Sequence, residues 1–463
     1  MHNMTIETVA EACQGELVCE EAGRLSAIRT REIQGVVTDN RKVKQDYVFI
    51  PIVGKRVDGH DFIPQAVKDG ALFVLSERRL EDPPAPYILV QSSEEALKEI
   101  AAYYRRQLSI PIVGVIGSVG KTGTKEMIAS VLSKHFSVCK TQGNFNNEIG
   151  LPLTLLSIRP EDEAAVVEMG ISDFGEMHRL GRIAKPDIVV MTNIGPCHLE
   201  ALHDRDGVLR AKTEVFDHLA EGATVILNTD DDKLAGIGAV PGASVLAYGT
   251  RDQQIRADQI HVLGVDGIEA HIHVGDEEWP VAIPLPGEHV IYHALAATAV
   301  GVTLGLPAGE IIDGLEQTQG IAGRTHFIRL KEDVTIIDDC YNASPISMKA
   351  ALKLLSQAKG IRIAVLGDMG ELGERERELH YEVGSYLATL PIDALYTAGP
   401  LSAEIGRAVL DTENDCKVHE YQTRDAMVAD LVCHIHPDST ILVKASHFMD
   451  FPKVVEALAT NFG

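Results

Sequence analysis

The stretch that decides the fold runs from Ile110 to Phe136, IPIVGVIGSVGKTGTKEMIASVLSKHF. Its first part, Ile110 to Ile116, is a short run rich in Val and Ile, the pattern of a strand buried on both faces. A turn built on Gly117 and Gly120 follows, and then an apolar spacing at Met127, Ile128, Val131 and Leu132 that predicts a helix. Strand, glycine turn and helix in that order let backbone N–H groups close around an anion at the helix N-terminus. Lys121 is then within reach of the outer phosphates of a nucleotide, and the Thr122 hydroxyl within reach of Mg²⁺. The longer phosphate-loop pattern has a glycine where Val115 stands, so the motif here is the shorter G-x-x-G-K-T. A glycine-rich turn followed by a chance Lys-Thr pair is the competing reading.

Around this stretch lie 463 residues, a length that suggests about three domains, and 45% of them are hydrophobic, enough for several cores. No run of 18 apolar residues occurs, and the opening MHNMTIETVAEACQGE lacks a basic segment followed by an apolar one. The chain is therefore expected in the cytosol, with no membrane span and no signal peptide. The 7 cysteines are odd in number, scattered and without a C-x-x-C pair, which fits reduced thiols. A net charge of −25 argues against general affinity for nucleic acid or anionic lipid, so an anionic ligand has to be held by local groups.

The pattern predicts an α/β protein. Residues 1–108 form a small α/β unit with strands at Val36–Thr38, Tyr47–Ile52 and Ala71–Leu75 and helices at Pro64–Lys68 and Glu94–Gln107. Residues 109–322 alternate strands and helices as a doubly wound, mostly parallel sheet does, with strands at Ile110–Ile116, Ala164–Glu168, Ile188–Thr192 and Thr224–Leu227. IHVLGVDGIEAHIHV (260–274) alternates around an Asp-Gly turn and reads as an inserted or edge hairpin. Its His261, His271 and His273 read as exposed strand residues rather than metal ligands. Residues 323–463 form a third, Rossmann-like α/β unit with strands at Val334–Asp338, Arg362–Leu366, Ala394–Thr397 and Thr440–Lys444 and helices at Pro345–Gln357 and Arg375–Ala388.

The central strands end in polar residues: Gly-Lys-Thr, Glu168, Asn193, and Asn228 with Asp230. Ligands of open α/β sheets sit beyond the carboxyl ends of the strands, and four polar ends in one sheet favour a common site. Glu168 is placed to hold Mg²⁺ opposite the loop, or to cap the next helix; His198 is a further ligand or orienting group, or neither. The cluster Thr38-Asp39-Asn40-Arg41-Lys42 is either a grip for a phosphorylated ligand or a solvated turn. Lys212, on a predicted helix two places before Glu214, reads as part of a solvated face.

Taken together, GSVGKTGTKEM (117–127), GNFNNEIGLP (143–152), VEMGISDFGEM (167–177), TNIGPCHLE (192–200), RAKTEVF (210–216), AGRTHFI (322–328), DDCYNASPISMKAAL (338–352) and LGDMGELGERERELH (366–380) closely resemble the Mur ligases. TDNR (38–41) and VDGHDFIPQA (57–66) extend the likeness to the N-terminus, and GDMGELG looks like the branch that adds D-alanyl-D-alanine. The resemblance implies a monomeric enzyme that uses ATP and Mg²⁺ to join D-alanyl-D-alanine to UDP-N-acetylmuramoyl-tripeptide through an acyl phosphate. Domain 1–108 would bind the UDP substrate and 109–322 ATP, while 323–463 would hold the dipeptide and close on ATP. Gly117, Ser118, Val119, Gly120, Lys121, Thr122 and Gly123 would cradle the phosphates, with Lys121, His198 and a CO₂-carbamylated Lys212 as the catalytic set. Thr122, Glu168 and His198 would hold Mg²⁺. Asn147, His293, Arg324, Asp339, Tyr341 and Asn342 would complete the ATP site. Thr38, Asp39, Arg41 and Asn146 would contact the UDP substrate, and Asp368, Met369, Gly370, Glu371 and Leu372 would lie by the dipeptide.

Four positions depart from the family pattern: Gly123 replaces Ser or Thr, His293 replaces an adenine-binding Asn, and Ala445 and His447 replace Gly and Arg. The nearest alternatives are a sister Mur or folylpolyglutamate-type ligase adding a single amino acid, or a nucleotide-binding regulatory protein without turnover. A GTPase-like switch is disfavoured by the lack of an N-K-x-D motif.

Overall fold

The computed structural model describes residues 1, 3–19, 22–54, 57–320 and 323–462; the expected domain limit at 322 lies outside them. The strand Ile112–Ile116 runs parallel between Ala164–Glu168 and Ile188–Met191, and all of its residues are buried. Val138–Lys140 lies beyond Ala164–Glu168. On the other side come Thr224–Asn228, Ser244–Gly249 and Ile255–Val262, every neighbouring pair parallel. Alternate residues of these strands face opposite cores. Ile112, Ile116, Val167 and Met191 join a core under helices Ser93–Arg105, Gly150–Leu155 and Glu176–Ala184, whereas Val113, Val115, Val166 and Val190 face helices Lys121–Leu132 and Val290–Thr303. Burial on both faces explains why these strands read as unbroken apolar runs.

The hairpin at 260–274 is larger than its alternation suggested. Ile255–Val262, Ile268–Val274 and Glu277–Ile283 are three strands that continue the central sheet to nine, the last two antiparallel. The ribbon is a sheet extension, and its Ile268, Ile272, Trp279 and Val281 pack into the same core as the phosphate-loop helix. His271 pairs with Glu278, and His273 lies 3.0 Å from Asp258 with a largely covered side chain.

The N-terminal sheet has five strands, four parallel and the edge strand Glu16–Val18 antiparallel to Tyr87–Leu89. The C-terminal sheet has six, and the antiparallel edge strand His326–Arg329 lies outside the apolar runs seen in the sequence. Helix starts carry local signals. The Ser92 side chain caps Ser93–Arg105, and Ser344 with Ser347 forms a capping box ahead of Pro345–Ser356.

One buried cation fastens the first unit to the central sheet. Arg105, at the end of Ser93–Arg105, donates to Ala184 O at 2.7 Å, Leu108 O at 3.1 Å, and Lys185 O and Asp187 Oδ2 at 2.9 Å. The same Asp187 oxygen accepts the Ile112 N–H at 2.8 Å, so this cluster sets where the decisive strand begins. Replacing Arg105 with Ala strands a carboxylate and several carbonyls, and the expected loss of stability is about 2–4 kcal/mol. Chemical denaturation reads this directly; a change below about 1 kcal/mol, the value of a surface pair, would refute the assignment.

Candidate active site

Two glycines shape the turn after Ile112–Ile116. Gly117 lies against the next strand end, where a Cβ would stand 1.9 Å from Thr192 Oγ1, and Gly120 has φ +81. The helix Lys121–Leu132 starts with Thr124 N–H donating to Gly120 O at 2.9 Å. The N–H groups of Lys121, Thr122 and Gly123 therefore precede the first intrahelical bond, and their positive dipole end faces the strand tips. The Ser118 and Val119 N–H groups, expected to join them, instead donate to Asn193 O at 3.1 Å and Asn193 Oδ1 at 3.0 Å. Asn193 Nδ2 and Thr192 Oγ1 donate to Val119 O at 3.0 and 2.8 Å, and Ser118 Oγ donates to Gly195 O at 3.1 Å. The loop is thus braced by the neighbouring strand end.

Lys121 is half-buried and folds back on the loop, donating to Gly117 O at 2.8 Å and Ser118 O at 3.3 Å. Burial pushes its amine down, and the nearby Glu168 carboxylate opposes that. Thr122 and Glu168 meet: Thr122 Oγ1 donates to Glu168 Oε2 at 2.9 Å, while Asn146 Nδ2 donates to Oε1 at 2.8 Å. The Glu168 N–H donates to Thr141 Oγ1 at 2.9 Å, which holds the strand end. A buried carboxylate beside a threonine hydroxyl at a helix N-terminus is a donor set suited to a hard divalent cation.

Lys212 overturns its reading as a solvated residue. It is 1% exposed, and burial pushes its amine down to about 8 against the opposing influence of Cys197. Glu214, the cue for the exposed reading, accepts instead from the Gly175 N–H at 3.0 Å. His198 reaches toward the C-terminal unit. Its Nδ1 lies 2.6 Å from Glu371 Oε2, off the line a hydrogen bond needs, and holds the Glu371 carboxyl below its usual range. The Leu199 N–H donates to Glu371 O at 3.2 Å.

In the C-terminal unit the Arg324 guanidinium lies 3.9 Å from the Tyr341 ring centre, and His447 lies 5.7 Å beyond that ring. Asp339 accepts from Thr325 N–H at 3.0 Å and from Lys444 Nζ at 2.5 Å, a buried pair. Asn342 Oδ1 accepts the Ala343 N–H at 2.9 Å. Asp368 Oδ1 accepts the N–H groups of Leu401 and Ser402 at 3.1 and 2.7 Å. Met369 and Leu372 are buried in the core, Gly370 N–H donates to Ser446 Oγ at 2.9 Å, and Glu371 meets the His198 loop. Asn147 Oδ1 caps Gly150–Leu155 by accepting Gly150 N–H at 2.9 Å. His293 packs on the loop with Nδ1 2.9 Å from Thr124 Oγ1.

Thr38 and Asp39 line a cavity of about 240 Å³ between the first unit and the central one, together with Lys42, Tyr47, Lys140, Phe145 and Arg159. Arg41 itself points outward, 83% exposed at its side chain, and makes a two-pronged contact with Asp39 at 2.9 and 2.8 Å. Among the described residues no group of three His, Cys, Asp or Glu is arranged as a metal cage.

Three family models match in order: residues 32–105 the catalytic domain of the Mur ligase family, 115–301 the Mur ligase middle domain, and 323–447 the Mur ligase glutamate ligase domain. The UDP-N-acetylmuramoyl-tripeptide–D-alanyl-D-alanine ligase of Bacillus subtilis is 36% identical over 99% of both chains. The chain belongs to the Mur ligase family. Among solved structures, MurF from Acinetobacter baumannii superposes with a TM-score of 0.89 at 32% identity over 99% of both chains. MurF from Thermotoga maritima in complex with ADP gives 0.80 at 31%, over 92% of this chain and 97% of that one. Within this Mur ligase the brace at Asn193 is the feature that the motif left out, although a polar residue ending an apolar strand signalled it. Asn193→Ala removes two contacts worth about 1 kcal/mol each, and ADP affinity measured by calorimetry is expected to fall about tenfold. Unchanged affinity would show that the loop holds its shape without the brace.

Proposed function

We propose that this chain joins D-alanyl-D-alanine to UDP-N-acetylmuramoyl-tripeptide with consumption of ATP, releasing ADP and phosphate, in peptidoglycan precursor synthesis in the cytoplasm. The observation that carries the reading is the full-length likeness to the Bacillus subtilis ligase, joined to a buried Glu168–Thr122 pair at the phosphate loop. The tripeptide carboxylate is a poor electrophile. Its oxygen takes the terminal phosphoryl group, the bond to the leaving ADP breaks, and the dipeptide amine then attacks the carbonyl and expels phosphate. Positioning and charge neutralisation do most of this work.

Lys121 and the helix N-terminus neutralise the phosphates, while Arg324, held flat on Tyr341, approaches them from the third domain. Glu168, Thr122 and His198 would hold Mg²⁺, which would supply neutralisation of phosphate charge. The cavity beside Thr38 and Asp39 takes the uridine end, with Lys42, Lys140 and Arg159 as its cations. The dipeptide lies by Gly370 and Glu371. Three lobes contribute to one reaction, so domain closure accompanies it, and the enzyme acts as a monomer.

Carbamylation of Lys212 is supported by its burial and by its lowered amine. Reaction with CO₂ needs the neutral amine, and the carbamate so formed carries a negative charge that suits the neighbourhood of the Lys121 cation. With the folded-state value at about 8, the neutral fraction falls as the pH drops below 8. Turnover in CO₂-depleted buffer should therefore decline more steeply on acidification than in bicarbonate. Lys212→Ala should lose about 100-fold or more in kcat, with no recovery on adding bicarbonate. A wild-type rate in that variant would return Lys212 to a packing role.

Substrate choice is read by ligand-dependent phosphate release. Release with D-alanyl-D-alanine and UDP-N-acetylmuramoyl-tripeptide is expected; release with meso-diaminopimelate or glutamate in place of the dipeptide would overturn the assignment in favour of a sister ligase. Tight ADP binding without any release would favour a regulatory protein.

A further inference from the structure

Gly123 and His293 are far apart in sequence but touch in the fold. A Cβ built on Gly123 would lie 2.8 Å from His293 Nε2 and 2.9 Å from its Cδ2, and one on Gly120 would lie 2.9 Å from Cε1. The imidazole therefore fills the space that any side chain at 123 would need. Its other nitrogen, Nδ1, lies 2.9 Å from Oγ1 of Thr124, a residue with no exposed surface. The ring cannot easily move aside. It stands on the helix Val290–Thr303, whose Ile291, Ala294, Leu295 and Ala297 are buried in the core shared with Met127, Ile128 and Val131 of the loop helix. His289, one turn earlier, meets it edge to face at 5.6 Å. Burial pushes the His293 imidazole down to about 3, so it meets the loop as a neutral ring.

We propose that Gly123 and His293 are one positioning unit: the imidazole replaces a side chain at 123 and, through Thr124, sets the first helical turn that carries Lys121 and Thr122. This gives His293 a role in shaping the phosphate loop, distinct from contact with the adenine base. The two residues are then jointly required, because a larger residue at 123 collides with the ring, and a smaller one at 293 leaves Thr124 and the glycine-rich turn unsupported. The inference rests on the ATP-binding reading of the loop and is independent of which acceptor is extended.

The test is a double-mutant cycle on the full chain with Gly123→Ser, His293→Asn and both together, read by ADP calorimetry and by KM for ATP against kcat. Each single change is expected to weaken ADP and raise KM by about tenfold or more, and the pair to recover to within about threefold of the parent. Losses that multiply in the double variant would overturn the proposal. If Gly123→Ser alone fails to fold, folding and ADP binding in the double variant support the coupling, and a double variant that also fails to fold refutes it. Thr124→Val, which keeps the volume and removes the hydroxyl, should lose ADP affinity as His293→Asn does; unchanged affinity would remove Thr124 from the unit. ADP calorimetry needs neither peptide substrate. Coupling observed in a chain that forms no product would therefore overturn the ligase reading and leave this inference standing.

Discussion

The register of three parallel strands governs the site. Val115 lies opposite both Glu168 and Val190, so the strand that carries the glycine turn, the strand that ends in the carboxylate and the strand that leads to Asn193 finish at one level. Their backbone groups are occupied by the sheet, and only the side chains and the turn beyond the tips are free to meet a ligand. Shifting one strand by a single residue would turn Glu168 to the opposite face of the sheet and separate it from Thr122.

Charge is arranged locally against the overall balance. The chain carries −25, yet a half-buried Lys121 and a buried Lys212 stand close to the loop, and Arg324 reaches it from the third unit. In a low-dielectric setting a few fixed cations and one helix N-terminus outweigh a distant acidic surface, whose field salt screens over about 10 Å. Beside burial, the Lys121 charge weakens the hold of Lys212 on its proton.

Much of this was readable from the residues. The buried strands Ile112–Ile116 and Ala164–Glu168 showed themselves because burial on both faces forces an unbroken apolar run, and the Gly-Lys-Thr turn because its geometry demands glycine. The strand His326–Arg329 escaped because an edge strand with partly exposed residues lacks that run. The solvated reading of Lys212 fails because the pattern of one helix shows which residues share a face but not what lies against it; here Lys121, distant along the chain, acts on a fully covered amine. Asp368 and Asn147, which the family resemblance places at the ligand, spend side-chain oxygens on helix starts, and only three-dimensional proximity reveals that Gly123 and His293 belong together.

The apolar interior that begins at Met4 and Ile6 runs without a break through Ile100 and Tyr104 into Ile116, Met191 and Leu227, whereas the C-terminal sheet keeps two interiors of its own. Between the central sheet and that last unit the described contacts mix polar and apolar groups: His198 with Glu371, Glu288 with Lys353, Ile346 resting on Gly195, and Leu199 packed against the C-terminal core. Prying the first two lobes apart would wet a continuous oily seam; parting the third from them would uncover two ion pairs and the aliphatic side chains of Leu199 and Ile346.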